Sequence, residues 1–236
     1  MHRPWTARAG RPQGGDPSRS RRLTQAPRTA RLPLVKRLLD RAAAALALVV
    51  TAPLLAAAAG LVAIDSIFCR RDRGPLLYRE RRVSGSREFD LLKLRVLRQD
   101  AIAGALRAFG QVRPAERDIA NLTWAGRVLK RFYLDELPQL WNVLRGDMSL
   151  VGPRPWPPPM VEEQERQGLV YRRLVPAGLT GPAQVRKGVP GIRFADLDLA
   201  YVEACRAWSS WRLLRYDLRI LLETARLIAR GEGLRF

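Results

Sequence analysis

Residues 130–155 read KRFYLDELPQLWNVLRGDMSLVGPRP, and both the fold and the chemistry of the chain turn on this stretch. Leu137, Leu140, Trp141 and Leu144 fall at i, i+3, i+4 and i+7, the spacing that lays one apolar stripe of a helix on a core. Asp135 supplies an N-terminal cap, Glu136 is favoured beside the positive end of the dipole, and Pro138 is tolerated only inside the first turn. Gly146 marks the stop. At about 100° per residue, Asp135 stands opposite the Leu/Trp stripe with Gln139 and Asn142 on its side. The two carboxylates are therefore expected to face solvent or a ligand, at a helix end whose free N–H groups suit phosphate oxygens. By spacing alone, the pair reads as an ordinary cap followed by a first-turn acid.

Working outward, the 236 residues carry 42 Lys+Arg against 22 Asp+Glu, a net charge of +20 that calls for anionic company: nucleic acid, anionic lipid or phosphorylated substrates. Cys69 and Cys205 are the only cysteines, which excludes a disulfide framework and Cys-rich zinc spacing. His2 is the only histidine, so a Ser-His or Cys-His catalytic system is excluded unless a terminal residue folds back. Residues 1–33 hold eight Arg, one Asp and five Pro with almost no large apolar side chains, and read as a disordered basic tail without a signal-peptide pattern.

From Ala42 to Ile64 there are 23 residues without a charge, long enough to cross a bilayer if helical. Pro53 interrupts the middle and disfavours helical geometry at Ala52. Basic residues flank both ends: Lys36, Arg37 and Arg41 before, Arg70, Arg71 and Arg73 after. Since Lys/Arg enrichment marks the cytoplasmic side, both ends are expected there, joined by a helix that bends at Pro53 and returns, with Thr51 helping to satisfy the freed carbonyls. A kinked single-pass anchor is the alternative.

The run LDELPQLWNVLRGDMSLVGPRP resembles the signature of the bacterial sugar transferases, monotopic phosphoglycosyl transferases that load a sugar phosphate onto a polyprenyl phosphate carrier. Other stretches resemble the same family. GPLLYRERRVSGSREFDLLKLRVL reads as two short strands around Ser84-Gly85-Ser86 and is similar to the family segment ending in Lys-x-Arg, here Lys93 and Arg95. Thr123, Gly126, Arg127, Leu129 and Lys130 follow the approach to the Asp-Glu pair, with Lys130 and Arg131 where the family has a single Arg. VPAGLTGPAQVRKG matches the family loop at Gly178, Thr180, Gly181, Ala183, Gln184 and Val185, but has Pro176, Pro182 and Arg186 in place of Arg, Trp and Asn. The family hairpin bends at Ser-Pro, which is Ala52-Pro53 here. Residues 98–120 are polar, partly helical, and yield no chemistry. Pro157, Pro158 and Pro159 exclude a helix there, with a charged helix beyond them. From Asp198 to Arg230, Trp208, Trp211 and Tyr216 interleave with arginines and leucines, as in a membrane-surface helix or one packed on the domain.

The resemblance implies a mainly α fold with a small β-hairpin, divided into a tail (1–33), a re-entrant membrane hairpin (34–68) and an interfacial catalytic domain (69–232). It implies transfer of a sugar 1-phosphate from a UDP-sugar to undecaprenyl phosphate, releasing UMP, as the first membrane step of a surface glycan or exopolysaccharide pathway at the cytoplasmic face of the bacterial inner membrane. Asp135 is the implied nucleophile, with Glu136 orienting it or sharing Mg2+, since two carboxylates facing a diphosphate call for a cation. Lys93, Arg95, Lys130, Arg131, Arg154 and Gln184 are the implied substrate-binding residues, and Asp147 a structural loop residue. The expected partners are the two substrates and membrane lipids, without nucleic acid and with homodimerisation open. A catalytically silent membrane scaffold is the alternative, motivated by Pro176 and Pro182.

Overall fold

The computed structural model describes residues 32–69, 73–109, 112, 114–187, 189 and 191–230. The basic tail expected over 1–33 falls almost wholly outside them, as do Arg70 and Arg71. In chain order the elements are α1 (Leu34–Phe68), β1 (Leu77–Ser84), β2 (Arg87–Leu94), α2 (Gln99–Phe109), α3 (Trp124–Arg131), α4 (Gln139–Arg145), β3 (Ser149–Val151), α5 (Pro158–Arg166), β4 (Gly178–Thr180), α6 (Pro182–Val185), α7 (Phe194–Ala207) and α8 (Ser210–Ala229). The chain is mainly helical, with one antiparallel hairpin, β1–β2, and a two-stranded parallel pair, β3–β4.

The apolar segment forms one helix of 35 residues, about 52 Å long, instead of two helices broken at Pro53. Pro53 lies inside α1 and deprives the Val49 carbonyl of its usual donor. Thr51 does not supply the replacement, because its Oγ1 donates to Ala47 O at 2.6 Å. The helix persists because strong helix formers surround the proline and both halves of α1 are packed. Lys36, Asp40 and Ala44 are buried at one end and Ala58, Val62 and Asp65 at the other, all at spacings that keep one face inward. Ala44 joins a core of Leu140, Val143, Val151, Tyr201, Leu213 and Ile220. Ala58 and Val62 join a second core with Leu94, Val96, Ile102 and Leu129. Both ends of α1 therefore rest on the same body, while Leu46, Val49, Val50 and Leu54 are exposed on its outer side.

A buried polar group fastens the start of α1. Lys36 Nζ reaches Asp217 Oδ2 of α8 at 2.6 Å and Asp40 Oδ2 at 3.2 Å. Tyr201 OH donates to Asp217 Oδ1, and Ser149 Oγ to Asp40 Oδ2. Breaking such a buried pair from one side typically costs about 3–5 kcal/mol. Of the two roles left open by its pattern, packing on the domain is met: α8 buries Leu213, Asp217 and Ile220, while Trp211, Leu218 and Leu222 are exposed.

Between α3 and α4 the chain departs from the expected helix start. Tyr133 takes φ 57°, the one positive-φ residue other than glycine among those described, at a strain of order 1–2 kcal/mol. Leu134–Glu136 form a single 3₁₀ turn, and α4 begins at Gln139 after Pro138. The buried stripe is rotated accordingly to Gln139, Leu140, Asn142 and Val143, and Trp141 is 49% exposed. Asn142, expected beside Asp135, is fully buried and pins α4 to the hairpin. Its Oδ1 accepts from Leu92 N at 3.0 Å and its Nδ2 donates to Asp90 O at 2.9 Å, completing the free edge of β2. Gly146 ends α4 in the left-handed region as expected, φ 84°. Pro158 and Pro159 fall in the first turn of α5, where a proline lacks no needed donor, so the helix starts earlier than the proline run suggests.

Candidate active site

Three elements converge on Asp135. The pleat of β1–β2 puts Tyr78, Glu80, Arg82, Leu91 and Lys93 on one side, with Tyr78 opposite Lys93 and Arg82 opposite Phe89. α3 delivers Lys130 from its last turn; its start is capped by Thr123 Oγ1, which accepts from Gly126 N at 2.9 Å. Asp65 of α1 also accepts there, from Ala125 N at 3.4 Å. The loop after β3 delivers Arg154.

Lys93 Nζ lies 3.7 Å from Glu116 and 3.9 Å from Glu136, Lys130 Nζ lies 2.8 Å from Glu116, and Arg154 Nη2 lies 3.2 Å from Glu136 Oε1. Three cations thus meet three carboxylates, Glu116, Glu136 and Asp135, in a closed site. A cavity of about 20 Å³, room for one water, is lined there by Arg82, Leu91, Lys93, Glu116, Gln139 and Arg154 among others. Asp135 is 2% exposed, so the expectation that it faces solvent is corrected: the 3₁₀ turn points it inward among charges. Its Oδ1 is buried without a hydrogen-bond partner among the described residues.

The electrostatics separate the carboxylates. Burial, then the neighbouring Glu136, push Asp135 up to about 6 against the pull of Lys93 and Lys130. Burial also works to raise Glu136, but Arg154, Lys93 and Lys130 outweigh it and hold it below the usual range. For Glu116 burial is again opposed, and Lys93 and Lys130 bring it down to about 2. Lys93 is held above its ordinary value because Glu116, Glu136 and Asp135 outweigh the burial that lowers it.

Of the residues singled out in sequence, Asp135, Glu136, Lys93, Lys130 and Arg154 come together. Arg95 does not: its guanidinium is buried elsewhere, donating to Pro75 O, Leu97 O and Ser66 Oγ. Arg95 lies just past β2, which ends at Leu94. Arg131 turns to the surface, its guanidinium 5.5 Å over the Phe132 ring. Gln184 lies in α6, with both amide atoms buried and without hydrogen-bond partners among the described residues. Asp147 accepts from Asn142 Nδ2 at 3.1 Å, a loop contact. Glu116 and Arg82 were not legible; Glu116 sits in the stretch that gave no pattern and reaches the site only through tertiary packing.

Two glycine contacts shape the neighbouring floor. A Cβ on Gly181 would come within 2.1 Å of Gly152 O, and one on Gly178 within 2.0 Å of Gly152 N. Pro182 fits as the first residue of α6. A divalent cation is compatible with the donors present. The unpartnered Asp135 Oδ1, beside Glu136, is a hard oxygen ligand. Among the described residues no group of three or more His, Cys, Asp or Glu side chains is placed to hold a metal ion.

The family described as bacterial sugar transferase matches residues 31–231. Among curated relatives, a UDP-glucose:undecaprenyl-phosphate glucose-1-phosphate transferase of Caulobacter vibrioides is 39% identical over 81% of this chain and 68% of its own length. An undecaprenyl-phosphate glucose phosphotransferase of Komagataeibacter xylinus is 35% identical over 81% of this chain and 35% of its own. A UDP-N-acetylgalactosamine-undecaprenyl-phosphate N-acetylgalactosaminephosphotransferase of Aeromonas hydrophila is 32% identical over 85% and 45%. The chain spans about two thirds of the first and less than half of the other two.

Proposed function

The chain belongs to the bacterial sugar transferase family, and from that footing we propose that it moves a hexose 1-phosphate from a UDP-sugar to undecaprenyl phosphate through a phosphosugar bound to Asp135. The observation that carries this reading is the buried Asp135 Oδ1, without a hydrogen-bond partner among the described residues, in the field of Lys93 and Lys130 and beside the Glu136 that Arg154 holds. Asp135 Oδ1 attacks the phosphorus next to the sugar, the bond to the UMP oxygen breaks, and UMP leaves. An oxygen of undecaprenyl phosphate then attacks the same phosphorus, the Asp135 carboxylate departs, and the lipid diphosphate-sugar is formed. Arg154, Lys93 and Lys130 stand where charge collects on the phosphoryl oxygens. Glu136, kept ionised by those cations, orients the array.

The resident cations are matched in number by carboxylates, so a bound diphosphate leaves the pocket net negative. Asp135 and Glu136 would hold Mg2+, which when bound neutralises phosphate charge. Donor entry opens the closed pocket, and burial afterwards keeps water from the nucleophile.

In the same proposal α1 lies in one leaflet with both ends on the cytoplasmic face. Its two ends pack on one body, its outer side exposes Leu46, Val49, Val50 and Leu54, and α8 exposes Trp211, Leu218 and Leu222. That placement holds the pocket at the depth of lipid phosphates.

The test is UMP release from a panel of UDP-sugars with undecaprenyl phosphate and Mg2+, starting with UDP-glucose, the donor named for the Caulobacter relative. The expected result is release that Asp135→Asn abolishes and that falls as pH drops below about 6, where Asp135 takes a proton. The scaffold reading that Pro176 and Pro182 motivate predicts instead no UMP release with any donor.

A further inference from the structure

The Gly152–Pro157 loop that carries Arg154 contains Pro153, Pro155 and Pro157 and so has few N–H groups with which to hold itself. Its carbonyls do much of that work. Pro153 O accepts from Gly178 N and Trp156 O from Val83 N, each at 2.9 Å. The Arg154 carbonyl accepts from Arg172 Nη1.

Arg172 is buried and its guanidinium is engaged on every side. Nε donates to Gln164 Oε1 at 2.9 Å, and Nη2 faces Tyr171 OH at 3.1 Å and Asp198 Oδ2 at 3.3 Å. The plane lies 4.0 Å from the Trp156 ring centroid, so Arg172 grips both the Arg154 backbone and the following side chain. At its other end Arg154 reaches Glu136.

We propose that Arg172 is a positioning residue for phosphoryl transfer: by holding the Arg154 carbonyl and the Trp156 ring, it fixes the Arg154 guanidinium against Glu136 and the donor phosphates. The inference rests on Asp135 and Glu136 being the reacting pair, which Arg172 itself does not touch. Lysine at 172 keeps the charge that faces Asp198 but loses the fork and the flat face. A displaced Arg154 is a misplaced stabiliser of the transition state, whereas a general packing defect would lower stability without regard to Arg154.

The experiment is a double-mutant cycle on UMP release by the full chain in membranes, with Arg172→Lys, Arg154→Gln and the double variant. Arg172→Lys is expected to lower kcat about 10- to 100-fold and to add almost nothing once Arg154 is glutamine. Trp156→Leu, which removes the stacking surface alone, is expected to show the same dependence on Arg154 and serves if Arg172→Lys does not accumulate. Penalties that multiply in the double variants, or a kcat unchanged by both substitutions, would overturn the role of Arg172. Turnover insensitive to Asp135→Asn would instead overturn the reading on which it rests.

Discussion

Glu116 shows what one residue contributes to this site. Its carboxylate lies between Lys93 and Lys130 and is brought down to about 2 although burial alone would raise it. A carboxylate whose folded value lies below its unfolded value stabilises the fold above the unfolded value, and loses that contribution as pH falls through the folded one. Between pH 4.5 and 2, the two ends of that shift, stability is therefore expected to drain from the wild type by about 3 kcal/mol on this account. Glu116→Gln should flatten that part of the urea-midpoint profile against pH; parallel profiles for the two proteins would contradict the assignment. Nothing local to Glu116 announces this role, since its partners come from a strand and a helix end on either side of it in sequence. Asp135 is the opposite case: its motif was legible, but its direction was not. The left-handed Tyr133 and the 3₁₀ turn after it rotate the carboxylate inward, which a uniform helix through Leu137 and Leu144 does not anticipate.

At the scale of elements, close backbone approach decides what the sequence can change. In α3, a Cβ on Gly126 would fall 2.1 Å from Val96 O, and Val96 O also accepts from Thr123 N. Gly126→Ala is expected to push Lys130 out of register and to cost about 1–3 kcal/mol, read as a lower urea midpoint together with reduced UMP release. An unchanged midpoint would show that α3 can slide. The hairpin was legible because Ser84-Gly85-Ser86 separates two apolar-bearing runs, and the observed turn at Gly85 has φ 57°. The unbroken α1 was not, because a single proline is a local signal whereas the packing of both helix halves is a tertiary one. The inward Asn142 has the same origin: its amide satisfies the β2 edge, and helical periodicity contains no information about that edge.

For the whole molecule, the proposal that α1 lies in one leaflet relates the pocket to the membrane. Both ends pack on one body, so a thiol at either end is expected on the same side. Exposed Cys69 and an added thiol in Leu34→Cys should both be shielded from an impermeant maleimide in intact cells and both labelled after permeabilisation. Labelling of one alone in intact cells would mean that α1 crosses. The central claim is the proposed phosphosugar on Asp135, and mass spectrometry after donor turnover without lipid acceptor tests it most directly. Trypsin releases residues 132–145 as one peptide, bounded by Arg131 and Arg145. That peptide is expected to gain the mass of a hexose phosphate at Asp135 while UMP appears in equal amount, and Asp135→Asn should carry none. UMP formed only when the lipid acceptor is present, with no adduct on this peptide, would contradict the account.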